Sequence, residues 1–223
     1  MAKCFILAGN YGSGKTEIAL NMSLEYAKKG RTVLVDMDIV NPYFRSAEHK
    51  ALLNEKGVRL IAPTYANTLV DVPVISAEVF AAFEYDYAVF DAGGDPVGAS
   101  VLGSIAHRFK TQEDVRFYYV VNARRPLTKT AEEIAEMMAL IEGKARIKVG
   151  GIINNTNLAR ETTAGDLLYG RDVCREVSLK TGVPVVMTSG EEHVLREFGE
   201  KAGEKDLFTI KIYTRPNWLD STI

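Results

Sequence analysis

Short apolar runs rich in β-branched and aromatic residues alternate with longer stretches of helical period along the whole chain. The runs at 4–8, 32–36, 59–62, 87–91, 116–122, 148–154 and 184–188 read as strands. The stretches at 15–29, 45–56, 75–83, 97–109, 128–142, 166–181 and 191–202 read as helices. Runs such as Tyr87-Ala88-Val89-Phe90 lack polar alternation, the pattern of strands covered by helices on both faces. Gly30, Gly57, Gly143 and Gly182 sit where these helical stretches end and are expected to cap them. The alternation predicts an α/β fold: a doubly wound, mostly parallel sheet of about seven strands with helices on both faces. Ligands of such folds bind at the carboxyl ends of the strands. Residues 207–213 alternate apolar and polar and read as an edge strand; the tail that follows, to residue 223, has Trp218 to pack it onto the body.

Composition narrows this picture. The 223 residues are 47% hydrophobic and 25% charged, which suits one domain spanning 1–223 better than two. A net charge of −2 supplies no basic footprint, so no nucleic-acid partner is expected. No apolar run approaches the roughly 20 residues that span a bilayer. The N-terminus leads straight into a strand, so no membrane association and a cytoplasmic location are expected. Cys4 and Cys174 lie far apart, one in a strand and one in a helical stretch, and read as free thiols. His49, His107 and His193 show no metal-ligand spacing.

The candidate chemistry begins at Gly9-Asn10-Tyr11-Gly12-Ser13-Gly14-Lys15-Thr16, a full match to G-x-x-x-x-G-K-[ST] between a strand and a helix. In such a loop the glycines let backbone N–H groups wrap a phosphate, and the following helix N-terminus adds partial positive charge. Lys15 is expected to reach the β- and γ-phosphates, and Thr16 to place its hydroxyl on Mg²⁺. Gly9 to Thr16, with the adjoining Glu17, are the expected nucleotide contacts.

Asp36 and Asp38 close the second predicted strand, and Asp91 closes the fourth. A parallel sheet delivers all three to the edge that carries the loop. With Thr16 they form the expected metal set: Asp91 in the Walker B role, Asp38 near the γ-phosphate, where it would orient water. Any aspartate after a strand has another use, capping the next helix.

Taken with Asp36-x-Asp38, Asp91-x-Gly93-Gly94 and Gly151-Ile152-Ile153-Asn154, the loop resembles that of MinD/ParA-type P-loop ATPases of the SIMIBI class. The likeness covers residues 1–189 and extends to the cobyrinic-acid synthase and dethiobiotin synthetase branch. Within the class it is nearest to small bacterial ATP-binding proteins carrying Asp-x-Asp-x-x-Asn-Pro-Tyr-Phe-Arg-Ser, here 36–46. The resemblance implies ATP with Mg²⁺, adenine contacted by Asn154 and secondarily Asn155, and two switches at 38–45 and from Gly94. It also implies homodimerisation or a protein partner.

The chain departs from that family in several ways. MinD and ParA carry a lysine after the first loop glycine that reaches a dimer partner's nucleotide; Asn10 stands there, and a neutral amide cannot offset developing phosphate charge. Either hydrolysis is slow or another cation serves: Arg45, Arg124 or Arg125. The basic amphipathic C-terminal helix of MinD, the basic face of ParA and the paired cysteines of metal-inserting relatives are all missing. Two stretches are expected to read out the nucleotide: 41–46, with Tyr43 and Phe44, and the apolar 64–76, whose rival reading is a loop folded onto its own core. The leading expectation is an ATPase switch for an unidentified protein partner, with Lys15, Asp38 and Arg45 catalytic. The rivals are an ATP-dependent ligase or kinase activating a small carboxylate, and a nucleotide-binding module without turnover.

Overall fold

Strand β1 (Lys3–Ala8) lies in the middle of a parallel sheet and divides its side chains between two cores. Cys4, Ile6 and Ala8 face one core, while Phe5 and Leu7 face the other. This division is why the strand is apolar at every position. The computed structural model describes residues 2–38, 49–62, 77–126, 128 and 130–214. The expectations placed on Arg45, on 41–46, on 64–76 and on Trp218 lie outside these residues.

The remaining strands are β2 (Thr32–Met37), β3 (Val58–Ile61), β4 (Tyr87–Ala92), β5 (Asp114–Val121), β6 (Gly151–Asn154), β7 (Val185–Gly190) and β8 (Leu207–Thr209). Among the described residues they form one eight-stranded sheet in the order β3-β2-β4-β1-β5-β6-β7-β8, and every pairing is parallel. The expected edge strand is present but short, and it enters parallel beside β7.

The helices are α1 (Lys15–Ala27), α2 (Lys50–Glu55), α3 (Ala77–Ala81), α4 (Pro96–Ser104), α5 (Ala106–Phe109), α6 (Ala131–Ala145), α7 (Ala164–Thr181) and α8 (Glu192–Ala202). On one face Leu102, Ile134, Ile141 and Val177 pack against the sheet, and on the other Ile18, Leu20 and Leu53 do. The chain is therefore doubly wound, as its pattern implied. Each buried aliphatic side chain of these cores contributes about 1.5–3 kcal/mol of transfer free energy.

Helix ends follow local chemistry more closely than the expected boundaries. Thr130 and Thr163 form capping boxes with Glu133 and Asp166, which fixes the starts of α6 and α7. Gly182 caps α7 in the left-handed conformation, as expected. Gly143 does not cap: α6 runs past it to Ala145 and ends on Arg146 at φ 57. Gly30 does not cap α1 either; Lys28 holds that place. The single helix expected at 97–109 is two, α4 and α5, meeting at Ile105. Both cysteines are buried and free, and burial pushes the Cys4 thiol up to about 12. Among the described residues no helix is long and apolar enough to cross a membrane.

Candidate functional site

The sharp turn between β1 and α1 builds the centre of the site. Gly14 sits at the helix N-cap with φ 86, a conformation that favours glycine. A Cβ there would also overlap the Asn155 side-chain amide. No side chain caps α1, so its first N–H groups point outward unsatisfied by a cap, an arrangement suited to an anion. Gly94, just beyond β4, packs onto the loop so closely that a Cβ would lie 2.8 Å from the Gly9 carbonyl oxygen.

Sheet register places the carboxylates. Asp36 on β2 pairs with Asp91 on β4, and Leu7 at the end of β1 pairs with the same Asp91. Lys15 Nζ lies 3.2 Å from Asp38 Oδ2, and these side chains are only 8% and 12% exposed. The Asp38 amide donates to Asp36 Oδ1 at 3.1 Å. Asp91 is buried and hydrogen-bonded to Thr16, while its Oδ1 has no hydrogen-bond partner. Burial pushes its carboxyl up to about 7; Lys15 and the Thr16 hydrogen bond oppose the shift, and Asp36 and Asp38 add to it. Asp91 does not cap the helix that follows, since Asp95 does, its Oδ1 accepting from the Gly98 amide at 2.7 Å.

This donor set fits Mg²⁺. The orphaned buried oxygen of Asp91 and the adjacent Thr16 hydroxyl are hard oxygen ligands of the kind the ion takes. Among the described residues no three or more His, Cys, Asp or Glu side chains cluster to hold a metal by themselves. An ion there would therefore share phosphate and water ligands.

Beside the loop opens a cavity of about 330 Å³. Tyr11, Lys15, Thr16, Glu17 and Asp38 line one part of it, and Asn155, Asn157, Ser189, Glu191 and Val194 another. Asn155 Nδ2 donates to the Ser13 carbonyl at 2.8 Å, and its Oδ1 accepts from the Ser189 hydroxyl at 2.9 Å. The adjacent loop is thus tied directly to the phosphate loop.

Of the expected nucleotide contacts, Gly9, Asn10, Ser13 and Asn154 do not line this cavity. Asn154 is buried away from the cavity: its amide donates to the Leu167 carbonyl at 3.0 Å and its Oδ1 accepts from the Thr156 amide at 3.2 Å. Asn155, the secondary expectation, is the one that reaches the wall. Asn10 turns inward, its Oδ1 accepting from the Tyr119 hydroxyl, and does not line the cavity. Arg124 points away too, with Nε and Nη2 both 2.8 Å from Asp166 Oδ1 and its guanidinium 4.5 Å from the Tyr169 ring centre. Desolvation pushes the Asp166 carboxyl up, but hydrogen bonds from Thr163 and Arg124 hold it below its usual range.

Glu17 lines the cavity, yet its carboxylate holds protein. It accepts from the Tyr213 amide at 2.7 Å, and from the Thr214 amide and hydroxyl at 3.0 and 2.7 Å. One turn on, the Asn21 side chain exchanges two hydrogen bonds with the Lys211 backbone, at 2.9 and 2.8 Å. The strap after β8 is thereby fastened to α1, and its Ile210, Ile212 and Thr214 form a cavity wall. Sequence reasoning took this segment for an edge strand and tail. The available signal was Glu17 and Asn21, four residues apart and both on the buried face of α1, since polar groups on a buried face need partners.

No family model matches the chain, and no curated protein does. Solved structures do. Chloroplast FtsY from Physcomitrella patens superposes with a TM-score of 0.56 at 15% identity, over 84% of this chain and 58% of that one. The cell division protein FtsY from Thermotoga maritima gives 0.54 at 16%, over 86% and 63%, and FtsY from Mycoplasma mycoides 0.51 at 20%, over 85% and 61%. The chain thus spans about three-fifths of the length of these structures. At such identities the likeness establishes the fold, a doubly wound α/β P-loop fold.

Proposed function

We propose that this chain binds ATP with Mg²⁺ in the cavity beside Gly9–Thr16 and works as a nucleotide-dependent switch for a protein partner or a second copy of itself, reset by slow hydrolysis. One observation carries the reading: the Lys15–Asp38 ion pair stands beside the buried Asp91–Thr16 pair at the uncapped N-terminus of α1. Loop and helix N–H groups would hold the phosphates, and Lys15 would exchange Asp38 for phosphate oxygens. Mg²⁺, held at Thr16 and Asp91 with Asp36 and Asp38 nearby, would neutralise developing phosphate charge. The released Asp38 is then available to orient water. Exposed apolar side chains flank this face, Tyr11 at 68% and Val97 at 61%, and suit a partner that reads it.

Adenine is proposed because Asn155 and Asn157 line the cavity and each side-chain amide, beyond its bonds to protein, keeps a second N–H and a second lone pair. Glu191, which also lines the cavity, favours a second reading, since a carboxylate accepts from the two adjacent N–H groups that guanine offers. Phosphate release from ATP and GTP, each with Mg²⁺, decides between them. Slow ATP turnover that is lost in Lys15→Ala and Asp38→Ala supports the switch. Turnover that appears only with an added carboxylic acid overturns it in favour of a ligase, and tight binding without turnover leaves a binding module.

A further inference from the structure

The turn that follows β5 carries two adjacent arginines with opposite fates. Arg124 is committed to Asp166 and Tyr169. Arg125 instead reaches the phosphate loop, where Nε donates to the Gly12 carbonyl at 3.0 Å, and it lines the cavity. The Arg125 side chain lies close against the loop where residue 12 has no side chain; a Cβ there would lie 3.3 Å from Nε, at a backbone φ of 75.

This turn is firmly mounted. The Arg125 amide donates to the Asn122 carbonyl at 3.1 Å, and the Thr128 hydroxyl donates to that same carbonyl at 2.5 Å. The buried Asn122 side chain donates to the Asn157 carbonyl at 3.2 Å and accepts from the Arg124 and Asn157 amides at 3.0 and 3.2 Å. The Ala123 amide donates to Thr156 Oγ1 at 3.1 Å. The turn that carries Arg125 is therefore fixed to the same loop whose Asn155 and Asn157 line the cavity.

Charge gives this position its meaning. Arg125 pairs with no carboxylate among the described residues, and only one of its five N–H donors has a protein acceptor there. Lys15, by contrast, already faces Asp38, and Asn10 brings no charge. We propose that Arg125 is a phosphate-binding residue, supplied within the subunit: its Nη groups donate to an oxygen of the phosphate chain of a nucleotide seated in the cavity. The inference rests on the nucleotide reading above. Arginine suits the task because its planar fork stays charged and matches phosphate oxygens.

The test is a binding ladder, by calorimetry, of adenosine, AMP, ADP and ATP, with the guanine series in parallel, on the wild type and on Arg125→Ala, Arg125→Gln and Arg125→Lys. Arg125→Ala and Arg125→Gln should weaken the di- and triphosphate roughly ten- to a hundredfold while leaving the nucleoside within about twofold. Arg125→Lys should recover part of the loss, since it restores charge without the fork. The glutamine can keep an N–H donor for the Gly12 carbonyl, so its loss would be one of charge rather than loop order. Equal losses at every step of the ladder, or none, would overturn the assignment while leaving the nucleotide reading standing. If the wild type binds no step of either series, the nucleotide reading itself fails and this inference falls with it.

Discussion

The hydroxyl of Tyr119 on β5 donates to the side-chain oxygen of Asn10 beneath the phosphate loop, and both residues are buried. The second position of the loop is thus an internal strut. Burial pushes the Tyr119 hydroxyl above its ordinary value, so it remains a protonated donor through neutral pH. Tyr119→Phe should cost about 1–3 kcal/mol, the usual price of stranding one buried partner, read as a lower urea midpoint at unchanged slope. Asn10→Lys should destabilise further and raise no turnover, because the ammonium would enter a site 4% exposed. A fully stable Asn10→Lys chain with faster phosphate release would contradict this account.

The Lys15–Asp38 pair holds in reserve the cation that a phosphate needs. Asp38→Asn should therefore tighten triphosphate binding several-fold when Mg²⁺ is absent, because Lys15 no longer has to leave a carboxylate. The same substitution should lower turnover roughly a hundredfold or more, through loss of the group proposed to orient water. Weaker binding in that variant, measured without Mg²⁺, would rule out an exchange of partners at Lys15.

Asp91 gives the site a pH dependence whose sign can be worked out. Its folded pKa is raised to about 7, above the ordinary 3.8, so the folded chain binds the proton more tightly than the unfolded one. The stability this group contributes is complete below about 4 and is lost as pH rises through about 7. Mg²⁺ needs the ionised form, so its apparent affinity for the nucleotide-bound protein should climb between pH 6 and pH 8 and then level off. Asp91→Asn should flatten the climb and also remove the group's share of the stability change. An unchanged pH profile in that variant would assign the dependence to another group.

The strap makes a separate prediction. Glu17→Ala removes three hydrogen bonds to residues 213 and 214 and strands their donors, at a cost of about 2–4 kcal/mol in thermal or chemical unfolding. Nucleotide affinity should fall as well, since Ile210, Ile212 and Thr214 would no longer be held as a wall. A loss below about 0.5 kcal/mol, within the range of ordinary surface substitutions, would mean the clasp holds nothing.

Periodicity made the fold legible because the two cores split the central strands at period two, and β1 shows the split residue by residue. The loop motif and the strand-end aspartates were equally readable, since parallel register must bring Asp36 and Asp91 to one level. Helix ends were less so. Thr130 and Thr163 act through capping boxes that a hydrophobic pattern does not weigh, and Gly143 is carried inside α6 by the packing of that helix. The site's walls were hardest to read. Asn154 and Asn155 are neighbours in sequence, but on leaving a strand adjacent residues face opposite ways, and only one reaches the cavity. Arg124 and Arg125 divide in the same manner. No local pattern says which of such a pair turns inward.

Glu17 and Thr214 stand 197 positions apart in the chain. A ribosome therefore delivers the phosphate loop well before the strap that walls its cavity. A nascent chain thus carries the loop long before it can wall the cavity beside it. Until residue 214 has emerged from the exit tunnel, the pocket lacks a side, and cellular nucleotide should find little grip on the growing polypeptide.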